Sequence, residues 1–166
     1  LLVLIFKTEK YTMQTLDPTD KILIEELQKD SKQSIKQLAQ KVNLSITPTH
    51  ERIKRLEANG IIEKYVAIVN PTLLGKTLMV YCHVTLVKHQ EAYFKEFEAF
   101  VAGIDEIVEV MYLAGPYDYI IKVVLKDMAD FEHFIARKIS RLEIISNIQS
   151  SFVITPVKRF TKISTE

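Results

Sequence analysis

Between Ser45 and Arg55 the run SITPTHERIKR gathers side chains suited to phosphate oxygens and base edges. Ser45 and Thr47 are short hydroxyls where a helix would start, and a helix start offers spare N–H groups and partial positive charge to an anion. Thr47 and His50 are placed for base edges or backbone, and Arg52, Lys54 and Arg55 for phosphates. Thr49 shares the face of Ile46, Ile53 and Leu56 and completes the candidate set. Two other arrangements fit the same residues: Arg55 paired with Glu51 at i,i+4 on a solvated face, and His50 as a partly buried spacer. From Ser31 to Leu56 there are six cations (Lys32, Lys36, Lys41, Arg52, Lys54, Arg55) against the single anion Glu51. The whole chain carries only +1, so the basic character is a local patch.

These side chains need a rigid helix held by two others. Leu16 to Asp30 has apolar Ile22, Leu23 and Leu27, a cap from Asp17 or Thr19, and Pro18 at a tolerated helix start. Ser34 caps a second helix whose inner face is Ile35, Leu38, Ala39 and Val42. Asn43-Leu44-Ser45 makes the turn: Asn accepts the left-handed conformation, Leu44 plugs the core and Ser45 caps the third helix. There Ile46, Thr49, Ile53 and Leu56 face inward, Pro48 sits in the first turn, and Asn59-Gly60 ends the helix. Two short helices around a tight turn, the second cationic, describe a helix-turn-helix that places its second helix in the DNA major groove. The segment IIEKYVAIVN then reads as a strand and hinge ending at Pro71.

After Gly75 the hydrophobic period changes from helical to alternating. LMVYCHVTLV reads as a strand, Glu91 to Ala102 as a helix with Phe94, Phe97 and Val101 inward, and Ile107 to Leu113 as a strand. Gly115-Pro116-Tyr117-Asp118 makes a turn before a strand from Tyr119 to Leu125. A helix from Met128 to Leu142 with Phe131, Phe134, Ile135, Ile139 and Leu142 buried, and a strand from Ile148 to Ile154, complete the order βαββαβ. That is a ferredoxin-like α+β arrangement, an antiparallel sheet with both helices on one face. The other sheet face is half apolar (Met79, Tyr81, Val87, Ile120, Val124, Val153), and a second copy laid sheet against sheet is the simplest cover. The expected organisation is an extension at 1–14, a helix-turn-helix domain at 15–63, a strand and hinge at 64–74, the βαββαβ domain at 75–160 and a tail at 161–166.

Composition excludes several classes. With 48% hydrophobic and 26% charged residues the chain is globular rather than disordered. Cys82, the sole cysteine, cannot form an internal disulfide or a cysteine metal cluster, fits a reducing cytoplasm and reads as an inert core thiol. No metal-ligand spacing, nucleophile–base pair or phosphate loop is present, so neither a metal nor a cofactor is expected. LLVLIF at the start is too short for a membrane span and lacks signal-peptide flanks, so no membrane partner is expected.

Three segments together, LDPTDKILIEELQKD, LSITPTHERIKRLEANGIIEKYVAIVNP and GPYDYIIKV, resemble the Lrp/AsnC (feast/famine) transcriptional regulators over Leu16 to about Arg159. The resemblance implies a winged-type helix-turn-helix, a ligand-sensing and oligomerisation domain, double-stranded DNA as partner, and dimers that often assemble into octamers. It also implies an amino-acid effector. Gly115 and Asp118 match the family's G-x-x-D turn, with Gly115 free to take a positive φ and Asp118 to accept from an α-ammonium group. Tyr117 or Tyr119 would wall that pocket, and Ser150 aligns with a position that often carries a hydroxyl. An ordinary hairpin turn fits the same four residues. A family of haem-pathway decarboxylases resembles these regulators in both domains. It would need acid–base groups among His83, His89 and His133, and has no use for a cationic third helix.

Overall fold

The computed structural model describes residues 15–159 and 162–165, and the extension expected at 1–14 lies outside them. The described residues divide into two compact units: one holds 15–68 with 158–159 and 162–165, the other 69–157.

In the first unit, α1 (Pro18–Lys29), α2 (Ile35–Lys41) and α3 (Ile46–Ala58) enclose a small core of Leu23, Ile24, Leu38, Ile53 and Leu56. Asp17, not Thr19, caps α1, in a reciprocal box with Asp20, and Ser34 and Gln37 form a second such box on α2. Asn43 takes the left-handed conformation at φ 53°, as the turn requires, and Gly60 at φ 70° lets the chain reverse after α3. Two expected core positions differ: Ile22 and Ile46 are 44% and 54% exposed, and Ile24 takes the inward place on α1.

The expected strand at 64–74 does not form. Residues 63–70 belong to no helix or strand, and Pro71–Leu74 makes a single 3₁₀ turn capped by Asn70. A β-rich segment becomes a strand only when another backbone meets its N–H and C=O groups, and none of the described residues does so. Of the residues expected as a tail, 162–165 belong to the first unit instead. The Gln28 amide brackets Ile163, accepting from its N–H at 2.6 Å and donating to its carbonyl at 2.9 Å, and Lys162 pairs with Glu25 at 3.1 Å.

In the second unit, β1 (Leu78–Leu86), α4 (Glu91–Ala102), β2 (Ile107–Tyr112), β3 (Tyr119–Leu125), α5 (Met128–Arg137) and β4 (Ile145–Phe152) form an antiparallel sheet in the order β2-β3-β1-β4. This is the ferredoxin-like topology. Val80, Cys82, Val84 and Leu86 of β1 join Tyr119, Ile121, Val123 and Leu125 of β3 in one buried face under Phe97 and Val101 of α4 and Phe131 and Phe134 of α5. Phe94 and Ile135 are only partly buried against it. The last helix stops at Arg137, short of Leu142, and Lys138 at its end pairs with Glu106 at 2.8 Å. A 3₁₀ turn then brings Ile139 and Leu142 into the core. β4 begins at Ile145 rather than Ile148, since Ile145 already pairs with Leu86 across a register shift at Thr85/Leu86.

Candidate functional site

The third helix presents one open side and one occupied side. Ser45, Thr47, His50, Lys54 and Arg55 are exposed, while Thr49 is fully buried and donates its hydroxyl to the Ser45 carbonyl at 2.9 Å. Thr49 is therefore corrected from a candidate contact to a core residue: the inward face of a packed helix cannot reach a ligand. Ser45 begins α3 but makes no side-chain capping bond, contrary to expectation, so its hydroxyl is uncommitted at the positive end of the helix.

Arg52 and Arg55 face a buried carboxylate. Asp20 is 2% exposed, and both guanidinium groups converge on it, Arg52 at 2.8 Å and Arg55 at 2.7 Å. Arg52 also bonds Asp17. The Asp20 backbone N–H, followed by Arg52, holds the Asp17 carboxyl below its ordinary range, and Asp17 with Asp20 raises Arg52 above its own. Burying Asp20 without these cations would strand a charge away from water. The two arginines are thus ties between α1 and α3, a structural role beside the expected phosphate contact, and Arg55 stays half exposed while Arg52 is largely covered. The alternative pairing of Arg55 with Glu51 is replaced by Asp20, which lies in another helix and so left no local spacing to read. A second tie joins α1 to α2: Glu26 receives Lys29 and Lys41, which pull its carboxyl down to about 2.

The four residues expected to hold an effector are not brought together. Asp118 is 8% exposed; its carboxylate accepts the Leu86 N–H at 2.8 Å and lies 3.1 Å from His89 Nε2. Its backbone is also engaged, with N–H to Val84 O at 2.9 Å and C=O from Leu113 N–H at 2.7 Å. The β1–β3 ladder ends at the pair Val84 and Tyr119, and just beyond it the Asp118 side chain supplies the acceptor that the Leu86 N–H needs. Asp118 is a structural clasp, and the expected capture of an ammonium group is corrected accordingly. Gly115 is exposed with nothing within 4 Å of a built Cβ, and its φ is not among the positive values of the described residues, so it needs no glycine-only geometry.

Ser150 and Tyr117 lie on opposite sheet faces. Ser150 pairs in register with Cys82, on the helix side, with its Oγ 3.5 Å from the Cys82 sulfur. Burial pushes that thiol up, in keeping with an inert core cysteine. Tyr117 instead packs against His83 on the open face, with ring centroids 4.7 Å apart and planes tilted by 36°, and donates its hydroxyl to Gln149, the register partner of His83. Sequence reasoning missed this His83–Tyr117–Gln149 group; alternation along β1 and β4 was the signal that Ser150 faces the core. The same open face carries Met79, Tyr81, Ile120, Lys122 and Val124, register partners on neighbouring strands. His133 is exposed on α5, distant in sequence from any of these. Among the described residues no cluster of histidine, cysteine or carboxylate groups fits a metal, and no helix is long and apolar enough to cross a membrane.

With this geometry in place, comparison with known proteins is specific. Residues 16–63 match the family described as winged helix-turn-helix DNA-binding, and residues 79–163 match the Lrp/AsnC ligand binding domain. The leucine-responsive regulatory protein of Haemophilus influenzae is 37% identical over 153 residues, spanning 92% of both chains. That of Salmonella typhimurium is 32% identical, spanning 94% of this chain and 95% of its own. Among solved structures, an AsnC family transcriptional regulator from Agrobacterium tumefaciens is 31% identical, with a TM-score of 0.84 over 89% of this chain and 96% of the other. A transcriptional regulator from Neisseria meningitidis, solved as a complex with L-Met, is 29% identical, with a TM-score of 0.86 over 90% and 96%.

Proposed function

Because the chain belongs to the Lrp/AsnC family of DNA-binding transcriptional regulators, which are not enzymes, we propose that α3 enters the major groove of double-stranded DNA with Ser45, Thr47, His50 and Lys54 as its contacts. The observation that carries this reading is the state of those side chains. All four side chains are exposed, and none has a hydrogen bond or ion pair among the described residues, while the neighbouring arginines are paired with Asp20. A surface cation on a helix braced by two others is organised for phosphate contact. Such a regulator acts in the cytoplasm, where the reduced Cys82 is at home. Measuring affinity for duplex DNA against salt tests it: Lys54→Ala weakens binding similarly for all sequences and flattens the salt slope by about 0.9. An unchanged slope removes Lys54 from the contact set.

The functional unit is a homodimer, with assembly beyond it up to an octamer. The open face of the sheet, with Met79, Tyr81, Ile120 and Val124 beside one another, supports a second copy as its cover. The unpaired segment 63–70, with Val66, Ile68 and Val69 each more than half exposed, supports a further contact in the same assembly. Two-fold symmetry then presents two copies of α3 to paired half-sites. A sedimentation profile showing only monomer rejects this arrangement.

The effector is an amino acid bound by the second unit. The matched ligand-binding domain and the L-Met complex of the Neisseria relative support that class of ligand. The turn at 115–117 remains its place in this chain, with exposed Gly115 and half-buried Tyr117 as contacts, and Asp118 fastening the turn from beneath. Binding between dimers would favour one assembly by its differential affinity and so change the spacing of the DNA-reading helices. Calorimetry with the twenty amino acids tests this; heat from none of them rejects an amino-acid effector.

A further inference from the structure

The exposed face of α3 carries a feature that phosphate contact does not use. Ile46 is the first residue of the helix and is 54% exposed, although it is large and apolar. An exposed isoleucine alone means little; its position gives it meaning. Helical spacing puts Ile46, His50 and Lys54 on one ridge and Thr47 and Glu51 on the next, and all five are exposed. The first turn of a recognition helix is the part that meets base edges.

Two further observations say what this face reads. Glu51 lies in its middle and makes no hydrogen bond or ion pair among the described residues; phosphates would repel it, so the face suits base edges better than backbone. The strongest reader of guanine is an arginine fork, and both arginines of α3 are clamped on Asp20. What remains at the tip is a branched aliphatic side chain beside a hydroxyl. The major-groove feature that an aliphatic group recognises is the 5-methyl group of thymine.

We propose that Ile46 reads a thymine methyl group and is a specificity-determining residue of this regulator. The inference rests on the DNA-binding reading above and adds to it the base and the atom recognised. Removing one buried methyl costs about three- to fivefold in affinity.

The test uses the full chain and a duplex selected from a random pool at low ionic strength, resynthesised with each thymine replaced singly by deoxyuridine, which lacks only the methyl. The wild-type protein loses about three- to fivefold at one thymine of each half-site and almost nothing elsewhere. Ile46→Ala binds the parent duplex more weakly by a similar factor and no longer distinguishes thymine from uracil at that position. Ile46 is exposed, so an unchanged melting temperature checks that the variant is folded. Indifference of the wild type to every replacement overturns the proposal, as does an Ile46→Ala protein that keeps the full thymine preference. Failure to retain any duplex at low salt strikes the DNA-binding reading itself, a separate result.

Discussion

The two units of this chain are held together by different physics. The second has a continuous apolar core in which Val80, Cys82, Val84, Phe97 and Val123 are completely buried. The first has six buried aliphatic residues among those described and relies on charge to finish the job: Asp20 takes two arginines, and Glu26 takes two lysines. A small three-helix unit has little apolar surface to bury, so directional ion pairs between helices set the pose of α3. The sheet unit has charged ties too, such as Lys138 with Glu106, but they lie beside a large apolar core. The unit that touches a charged polymer is thus the one whose own architecture answers more to salt and pH.

That contrast can be broken from either side. Phe97→Ala is expected to have the largest effect, about 4 kcal/mol of lost stability, read as early loss of hydrogen-exchange protection in β1 and β3 and unaltered by added salt. Protection lost equally in α1–α3 would mean that the units do not unfold separately. Asp20→Ala follows, at about 2 kcal/mol, because the arginines it strands are partly exposed and regain water. Its loss is confined to the first unit. Replacing Asp20 also frees Arg55 on α3, while Arg52 keeps its Asp17 partner, so the variant binds duplex DNA with a steeper salt dependence than wild type. A salt slope equal to wild type would show that Arg55 never reaches phosphate.

Acid sharpens the same comparison with a smaller effect. The Glu26 carboxyl is held at about 2 in the folded chain against an ordinary 4.5. Its folded value is depressed, so its contribution is complete above about 4.5 and drains away as pH falls toward 2. Helix signal from the first unit should therefore decline across that window ahead of the sheet unit, whose Glu106 is also held low by Lys138 but beside a larger core, and Glu26→Gln should narrow the difference. Coincident acid transitions in the two proteins would refute it. The smallest effect is expected from Gly115→Ala. Its added Cβ meets nothing and its backbone is unstrained, so stability should change by less than about 0.5 kcal/mol.

Much of the architecture was legible because it depends on neighbours in sequence. Capping residues Asp17 and Ser34, the left-handed Asn43, Gly60 after α3 and the alternation of β1 are local signals, and α4 and β3 lie at the residues their patterns mark. The site residues were less legible. Lys54, His50, Thr47 and Ser45 came out exposed because their places on the helical wheel oppose the core. Arg52 and Arg55 carry the same charge as Lys54 in sequence, and nothing within α3 says that Asp20 is waiting for them. Asp118 reads as a turn residue and a ligand acceptor alike until the Leu86 N–H, left beyond the end of the β1–β3 ladder, claims it.

By itself, then, the sequence determined the elements, their order, the helix-turn-helix and the family, since periodicity, caps and turn chemistry act over a few residues. Tertiary structure decided which polar groups remained available. Charge and hydrogen-bonding capacity belong to single residues, but their satisfaction depends on partners brought near by folding: Asp20 from α1, Leu86 from β1, Cys82 beneath Ser150. A burial of one side chain in the wrong company costs more than the local signal that favoured it, so partners distant in the chain have the last word on function.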